Sequence, residues 1–223
     1  MTDNRRPLKS RGTSWATGLA RMCARMGLSP DAISALSVVC AGAGFWAFWM
    51  SATAEGAERA GWLFAAGVTI QLRLLANLLD GMVAVEHGRG GPLGPVWNEL
   101  PDRIADALFL VGAGMALRIY DPAFGPMLGW IAALLAVLTA YIRELGRGLG
   151  RDADFAGPGA KPHRMAALTL GCIVAAGLAL ANVDHSFAAL WLALAVIVLL
   201  TAATVVRRTV RLARWLKATA GSA

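Results

Sequence analysis

Residues 73–106 read RLLANLLDGMVAVEHGRGGPLGPVWNELPDRIAD, a stretch whose polar groups interrupt an otherwise oily chain. Asn77, Asp80, Gly81, Ala84, Gly94, Asn98, Asp102 and Asp106 form a spaced set inside segments that suit lipid. A charge at the bilayer centre costs roughly 2.5–3.5 kcal/mol on insertion scales. Asp80, Asp102 and Asp106, with Arg73 and Arg103, must therefore face water, one another or a ligand. Arg73, Asn77 and Asp80 fall at i, i+4 and i+7, one face of a helix. Asn98, Asp102 and Asp106 repeat every fourth residue on the next helix. A glycine-rich turn (Gly88, Gly90, Gly91, Gly94) joins the two, so the stripes can face one another across a shared cavity.

The composition around this segment is that of a membrane protein. Of the 223 residues 57% are hydrophobic and 16% charged, and the mean hydropathy of +0.56 lies outside the range of soluble domains. Apolar runs cover Ile33 to Thr53, Gly61 to Leu79, Ile104 to Leu117, Met127 to Tyr141, Met165 to Ala181 and Phe187 to Val206. With polar flanks, these approach the ~20 residues that a span requires. The expected fold class is all-α: a six-transmembrane-helix bundle with an N-terminal interfacial amphipathic helix. Residues 1–28 form a basic segment and the interfacial helix, residues 29–206 the six-span domain, and residues 207–223 a basic cytoplasmic tail.

Lys and Arg crowd the N-terminal segment, the loop from Arg143 to Arg164 and the tail from Arg207 to Lys217, whereas the alternate loops hold little more than Arg59 and Arg118. The positive-inside rule then puts both termini, and the loops after the second and fourth spans, in the cytoplasm of a multi-pass cell-membrane protein. The polar segment opens to the cytosol. A net charge of +7 flanks spans rather than lining one soluble face, so membrane lipids with anionic headgroups are the expected neighbours, and no nucleic acid is expected. The first long apolar run begins near residue 33 and is long enough to span, which argues against a cleavable signal peptide.

Local signals place two further elements. Trp15, Leu19, Met22 and Met26 recur at helical spacing with Arg21 and Arg25 on another face, the pattern of a helix lying in the interface. Ser29-Pro30-Asp31 supplies a cap, a first-turn proline and an acid at the positive end of the dipole, so the first span begins there. The second, expected from about Ala60 to Val85, is roughly 39 Å long at 1.5 Å per residue.

Written as a pattern, the segment is Asn77-x2-Asp80-Gly81-x2-Ala84-Val85-x8-Gly94-x3-Asn98-x3-Asp102. It resembles the signature of the CDP-alcohol phosphotransferases, D-x2-D-G-x2-A-R-x8-G-x3-D-x3-D, with matching spacing throughout. Asn77 and Asn98 replace aspartates, and Val85 replaces an arginine. The resemblance implies an integral membrane transferase of phospholipid biosynthesis. Such an enzyme moves a phosphoryl-alcohol, most often phosphatidyl, group from a CDP-alcohol such as CDP-diacylglycerol to an acceptor alcohol and releases CMP. It implies Mg²⁺ (or Mn²⁺) held at Asn77, Asp80, Asn98 and Asp102, with Asp106 one turn further on as an added carboxylate. Gly81, Ala84 and Gly94 would lie beside the nucleotide, Asp102 would be the catalytic general base, and a homodimer is the family's habit.

The chemistry suits those residue types. Charge developing on a leaving nucleotide calls for hard divalent cations, which prefer oxygen ligands, amide oxygens included. Arg73, Arg89 or Arg103 can replace the missing phosphate-binding arginine. Arg143, Lys161 and Arg164, around the run Gly157-Pro158-Gly159-Ala160, can grip a phosphate on the acceptor or on CDP; they serve equally as topology determinants. His87, His163 and His185 have no spaced partner for zinc. Cys23, Cys40 and Cys172 read as small packing residues. Two other readings remain in view: a catalytically silent relative that binds lipid or nucleotide, and an ion or proton transporter, which the apolar outer halves of the spans disfavour.

Overall fold

Ser29 caps as the sequence leads one to expect: its Oγ accepts from the Ala32 N–H at 3.1 Å, with Pro30 and Asp31 in the first turn behind it. The computed structural model describes residues 13–86 and 94–220, and the backbone alone for Val85, Glu86, Pro95 and Asn98. The described residues form the helices α1 (Ser14–Arg25), α2 (Pro30–Ser51), α3 (Gly56–Glu86), α4 (Gly94–Ala116), α5 (Phe124–Gly148), α6 (Lys161–Leu180) and α7 (Ala188–Ala220), with no strand among them. The all-α class is thus observed. Five of these helices, α2, α3 over Gly56–Ala84, α5, α6 and α7, are long and apolar enough to cross a membrane. The sixth expected span, α4, is not in that group, because Glu99, Asp102, Arg103 and Asp106 fall between its sixth and thirteenth residues.

Packing follows a closed circuit in which α2 touches α3, α3 touches α6, α6 touches α7, α7 touches α5, α5 touches α4, and α4 returns to α2. Consecutive α3 and α4 barely touch, because α2 packs against both. The two polar stripes are therefore not the faces of one tight hairpin. They border a gap between the two backbones, which long side chains span. Below that gap the interior is apolar and continuous: Phe48 of α2, Leu63 and Ile70 of α3, Phe109 and Leu110 of α4, Leu168 and Cys172 of α6, and Leu190 and Leu194 of α7 belong to one buried cluster. Large apolar side chains such as Trp46, Phe64, Trp130, Leu170 and Leu199 point outward instead. That distribution suits a lipid surround, where small residues bring helices together and large ones face the tails.

Helix α1 buries Ala16, Ala20 and Cys23 against the cytoplasm-expected end of α3, in a cluster with Ala76, Leu79, Met82 and Val83. Its larger side chains Trp15, Met22 and Met26 remain exposed beside Arg21 and Arg25. The small residues, not the Trp–Met stripe, form the packed face. Helix α3 starts a turn earlier than expected, at Gly56, and its 31 residues span about 46 Å at 1.5 Å each. Helix α7 runs through the boundary expected at 206–207, and Arg208 and Leu212 of the basic tail are buried in the body.

Glycine sets the closest contact of the circuit. A Cβ on Gly129 of α5 would lie 2.7 Å from the Leu110 carbonyl oxygen and 2.8 Å from Gly114 Cα of α4. Both obstacles are backbone, so relief requires the helices to separate. Gly129→Val is expected to destabilise the protein by at least ~1–3 kcal/mol, the cost of overpacking a tight core. Thermal unfolding in detergent checks this, with a melting temperature several degrees lower as the expected result.

Candidate active site

The gap between α3, α4 and α6 is bridged by three basic side chains that reach two carboxylates. Arg73, wholly buried on α3, donates from Nη2 to Asp102 Oδ1 at 2.6 Å and lies 3.5 Å from Asp106 Oδ1. One turn on, Asn77 donates from Nδ2 to the same Asp102 Oδ1 at 3.0 Å. Lys161, the first residue of α6, donates from Nζ to Asp102 Oδ2 at 2.6 Å and to Asn77 Oδ1 at 3.2 Å. Arg164, one turn further, donates to Asp106 Oδ2 at 2.9 Å. Helical spacing produces this order: positions 73 and 77 share a face, as do 102 and 106, and 161 and 164.

Asp80 completes the α3 stripe. Its Oδ2 accepts from Ser34 Oγ of α2 at 2.6 Å, while its Oδ1 is buried with no hydrogen-bond partner. Among the described residues no basic side chain pairs with Asp80, although Asp102 and Lys161 lie within electrostatic reach. Arg73 Nε and Nη1, Arg164 Nε and Asp106 Oδ1 are likewise buried without partners. Leaving a buried polar group unmet costs about 1–3 kcal/mol, and more when it is charged. Unmet donors and unmet acceptors in one place call for a ligand bearing anionic oxygens together with a cation.

The rim is a second network, joined to the first through Arg103, whose Nη2 lies 3.8 Å from Asp102 Oδ2. Glu99 of α4 accepts from Arg103 at 3.0 Å and pairs closely with Arg143 of α5. Arg143 also donates from Nε to Glu144 Oε1 at 2.7 Å, and its guanidinium lies over the Phe155 ring. Arg143 is thus beside the site and not on Asp102, whereas Lys161 and Arg164 are inside it. Gly81 and Ala84 are half-buried on α3, and Gly94 has open space where a Cβ would be. Arg89 and the side chain of Asn98 lie outside the described residues, as do Val85's side chain and His87.

Several contributors were not singled out in the sequence. Ser34 was legible as a polar residue one turn from Ser37 in an apolar run; Glu99 sits next to Asn98. Thr139 gave no signal, yet its Oγ1 lies 3.5 Å from Arg164 Nη1 and its carbonyl accepts from Arg208 Nη1 at 2.6 Å. The Gly159 carbonyl accepts from Arg164 Nη1 at 2.6 Å, and the Gly159 N–H donates to Thr204 Oγ1 at 2.8 Å. A Cβ on Gly159 would meet Thr201 Cα at 2.4 Å. Only glycine lets the loop lie on α7 and deliver Lys161 and Arg164. His163 bonds locally, with its Nδ1 2.8 Å from the Pro158 carbonyl oxygen.

The residues fit a divalent cation in a limited way. Asp80 offers an unmet carboxylate oxygen, and amides are acceptable neighbours for a hard ion. Both oxygens of Asp102 are already held by cationic donors. Among the described residues no three acidic, His or Cys side chains form a ready ion cage.

The chain superposes on crystal structures of Mycobacterium tuberculosis phosphatidylinositol phosphate synthase (PgsA1). Against the one in complex with manganese and citrate the TM-score is 0.70, covering 88% of both chains at 23% identity. Against the one with CDP-DAG bound it is 0.70, covering 90% of this chain and 94% of that one at 23% identity. The chain has the fold of these synthases. The helical membrane fold that the resemblance of residues 77–102 implies is therefore observed. A curated relative, the bifunctional IPC transferase and DIPP synthase of Rubrobacter xylanophilus, is 34% identical over 154 residues, or 67% of this chain. The chain spans about a third of that relative's length, 32%. The proteins it matches are transferases and synthases. No protein-family model matches the chain.

The charge pairing makes a direct prediction about stability. Arg73→Met keeps bulk but leaves Asp102 and Asp106 short of one counter-charge; removing one partner of a buried pair costs about 3–5 kcal/mol. Thermal melting of the variant in detergent is expected to fall well below that of the parent, and an unchanged transition would contradict the pairing.

Proposed function

We propose that this chain is an integral membrane transferase that moves a phosphoryl-alcohol group from a CDP-alcohol, with CDP-diacylglycerol the first candidate, to an acceptor alcohol and releases CMP. The observation that carries this reading is the meeting of unmet donors on Arg73 and Arg164 with an unmet acceptor on Asp80 around Asp102. A diphosphate accompanied by a divalent cation satisfies both sets. The name of the Rubrobacter relative and the CDP-DAG complex of the mycobacterial enzyme add support from outside the chain.

In this reading α2 to α7 provide six spans, with α4 crossing inside the circuit where its charges are shielded. The exposure of Trp15, Met22 and Met26 supports an interfacial position for α1. Both termini and the site face the cytoplasm of the cell membrane, and a second copy of the chain is the partner that the family resemblance implies.

Asp102 takes the acceptor's proton. A carboxylate has about four lone-pair positions, and Arg73, Asn77 and Lys161 use three of them. The remaining one, on Oδ2, is available to a hydroxyl. As the acceptor oxygen bonds to the phosphorus bearing the alcohol, the bond from that phosphorus to the CMP oxygen breaks. CMP departs with the electron pair, and the hydroxyl proton passes to Asp102. Arg73 and Arg164 hold the phosphate oxygens through their free N–H groups. Gly81, Ala84, Gly94 and Arg89 border the nucleotide, and Arg143 at the rim meets the acceptor. Asp80 would hold a divalent cation, Mg²⁺ or Mn²⁺, with Asn77, Asn98, Asp102 and Asp106 as the other oxygen-bearing residues of the motif, and the ion would neutralise charge on the departing CMP.

Purified protein given Mg²⁺, CDP-diacylglycerol and a panel of alcohols is expected to release CMP, and Asp102→Asn to slow it by about 10²–10⁴-fold, the usual share of general-base catalysis. An unchanged rate in the variant removes the base assignment. A second reading has its own observation: three donors on Asp102 suit a catalytically silent binder of nucleotide or lipid. Silence across the panel, with CDP still bound, favours that one.

A further inference from the structure

The Lys161 ammonium lies between Asn77 Oδ1 and Asp102 Oδ2, at 3.2 and 2.6 Å. Two oxygens from neighbouring helices facing a common positive centre is what a bridging metal ion would present. We propose that Lys161 is a built-in cation that fills the position between Asn77 and Asp102, so that this site takes a single divalent ion, beside Asp80. This rests on the proposed transferase reading for the second, Asp80-side position, and deepens it.

Three observations support the assignment. First, Lys161 is placed by the fold and not by chance side-chain reach: the Gly157–Gly159 turn lies against Thr201 and Thr204 of α7, and α6 starts at Lys161 itself. Second, the acceptors are already used. Asp102 Oδ1 is shared by Arg73 and Asn77, so a metal entering between Asn77 and Asp102 must displace the ammonium. Asp80 Oδ1, by contrast, has no side-chain partner to displace. Third, charge favours one ion. By count, the charges of Asp80, Asp102 and Asp106 are offset by Arg73, Lys161 and Arg164, and Arg103 beside Asp102 by Glu99, so the core of the site sums to about zero. One divalent ion then balances a substrate diphosphate of about −2, whereas two would leave an excess of about +2 in a low-dielectric surround.

The amide at position 77 fits the same logic. Its oxygen accepts from Lys161 while its Nδ2 donates to Asp102. A carboxylate there could not donate, and would lie against Asp102 without that bond.

The test is Mn²⁺ titration of the full chain in detergent, followed by electron paramagnetic resonance, with Mn²⁺ alone as the probe and melting curves as the check on folding. The parent is expected to bind one Mn²⁺ per chain with the spectrum of an isolated ion. Lys161→Met is expected to bind two and to show the exchange coupling of ions a few ångströms apart, while Lys161→Arg stays at one. Two ions in the parent, one in both parent and Lys161→Met, or none in either overturns the proposal. If Lys161→Met does not fold, the count in the parent and in Lys161→Arg decides. CMP release is scored separately. Turnover with two ions in the parent sinks this inference and leaves the transferase; the one-to-two change without turnover does the reverse.

Discussion

Pairing of buried charge is the constraint on which the rest of this structure depends. Asp106 is nearly inaccessible, as are Arg73 and Arg164. Ions so placed are tolerated only when matched, since removing each from water costs several kcal/mol. The match cannot be made along one helix. It needs α3, α4 and α6 to present their polar faces to a common space, and that in turn needs α2 to hold α3 and α4 apart while packing on both. Long side chains then do what closer backbones could not. The guanidiniums of Arg73 and Arg164 and the Lys161 ammonium cross the gap and join elements far apart in the chain.

Much of the surrounding fold serves to hold those three cations in register. Arg208 of α7 donates to the carbonyls of Ala156 and Thr139, tying the α5–α6 loop and α5 to one another. Thr204 holds the Gly159 N–H, and the Gly159 carbonyl in turn takes Arg164 Nη1. The loop is thus fastened on both sides before α6 begins. At the α4–α5 contact, Gly114 and Gly129 allow backbone to meet backbone, which fixes how far Asp102 and Asp106 stand from the circuit's centre. Polar anchoring and small-residue packing are both forms of attachment available where apolar burial gives helices no preference for one another over lipid.

The departures from the family pattern acquire a common reading in this setting. Asn77 and Asn98 remove two negative charges, and Val85 removes a positive one, yet Arg73 and Lys161 bring positive charge directly onto Asp102. The site's charge is redistributed. Basic side chains from outside the motif occupy the carboxylate that the motif alone would leave open. Chemistry that a motif suggests is therefore conditional on what the fold brings to the motif from elsewhere.

The helical class, the start of α2 at Ser29-Pro30-Asp31, and the shared faces of Arg73, Asn77 and Asp80 and of Asp102 and Asp106 were legible in the chain, because helix caps and i, i+4 spacing are local properties. So was the membership of Lys161 and Arg164 in a phosphate-suited cluster, through their charge beside Gly157-Pro158-Gly159. Local reading stopped at α4, whose charges keep it from qualifying by composition, and at α1, whose packed face is its alanines. Only the tertiary structure decided that α3 and α4 stand apart across α2, that Ser34 and Thr139 belong to the site, and that an ammonium lies between Asn77 and Asp102. Each of those depends on which helices are neighbours, and neighbour choice is set by packing summed over the whole circuit and not by any one segment.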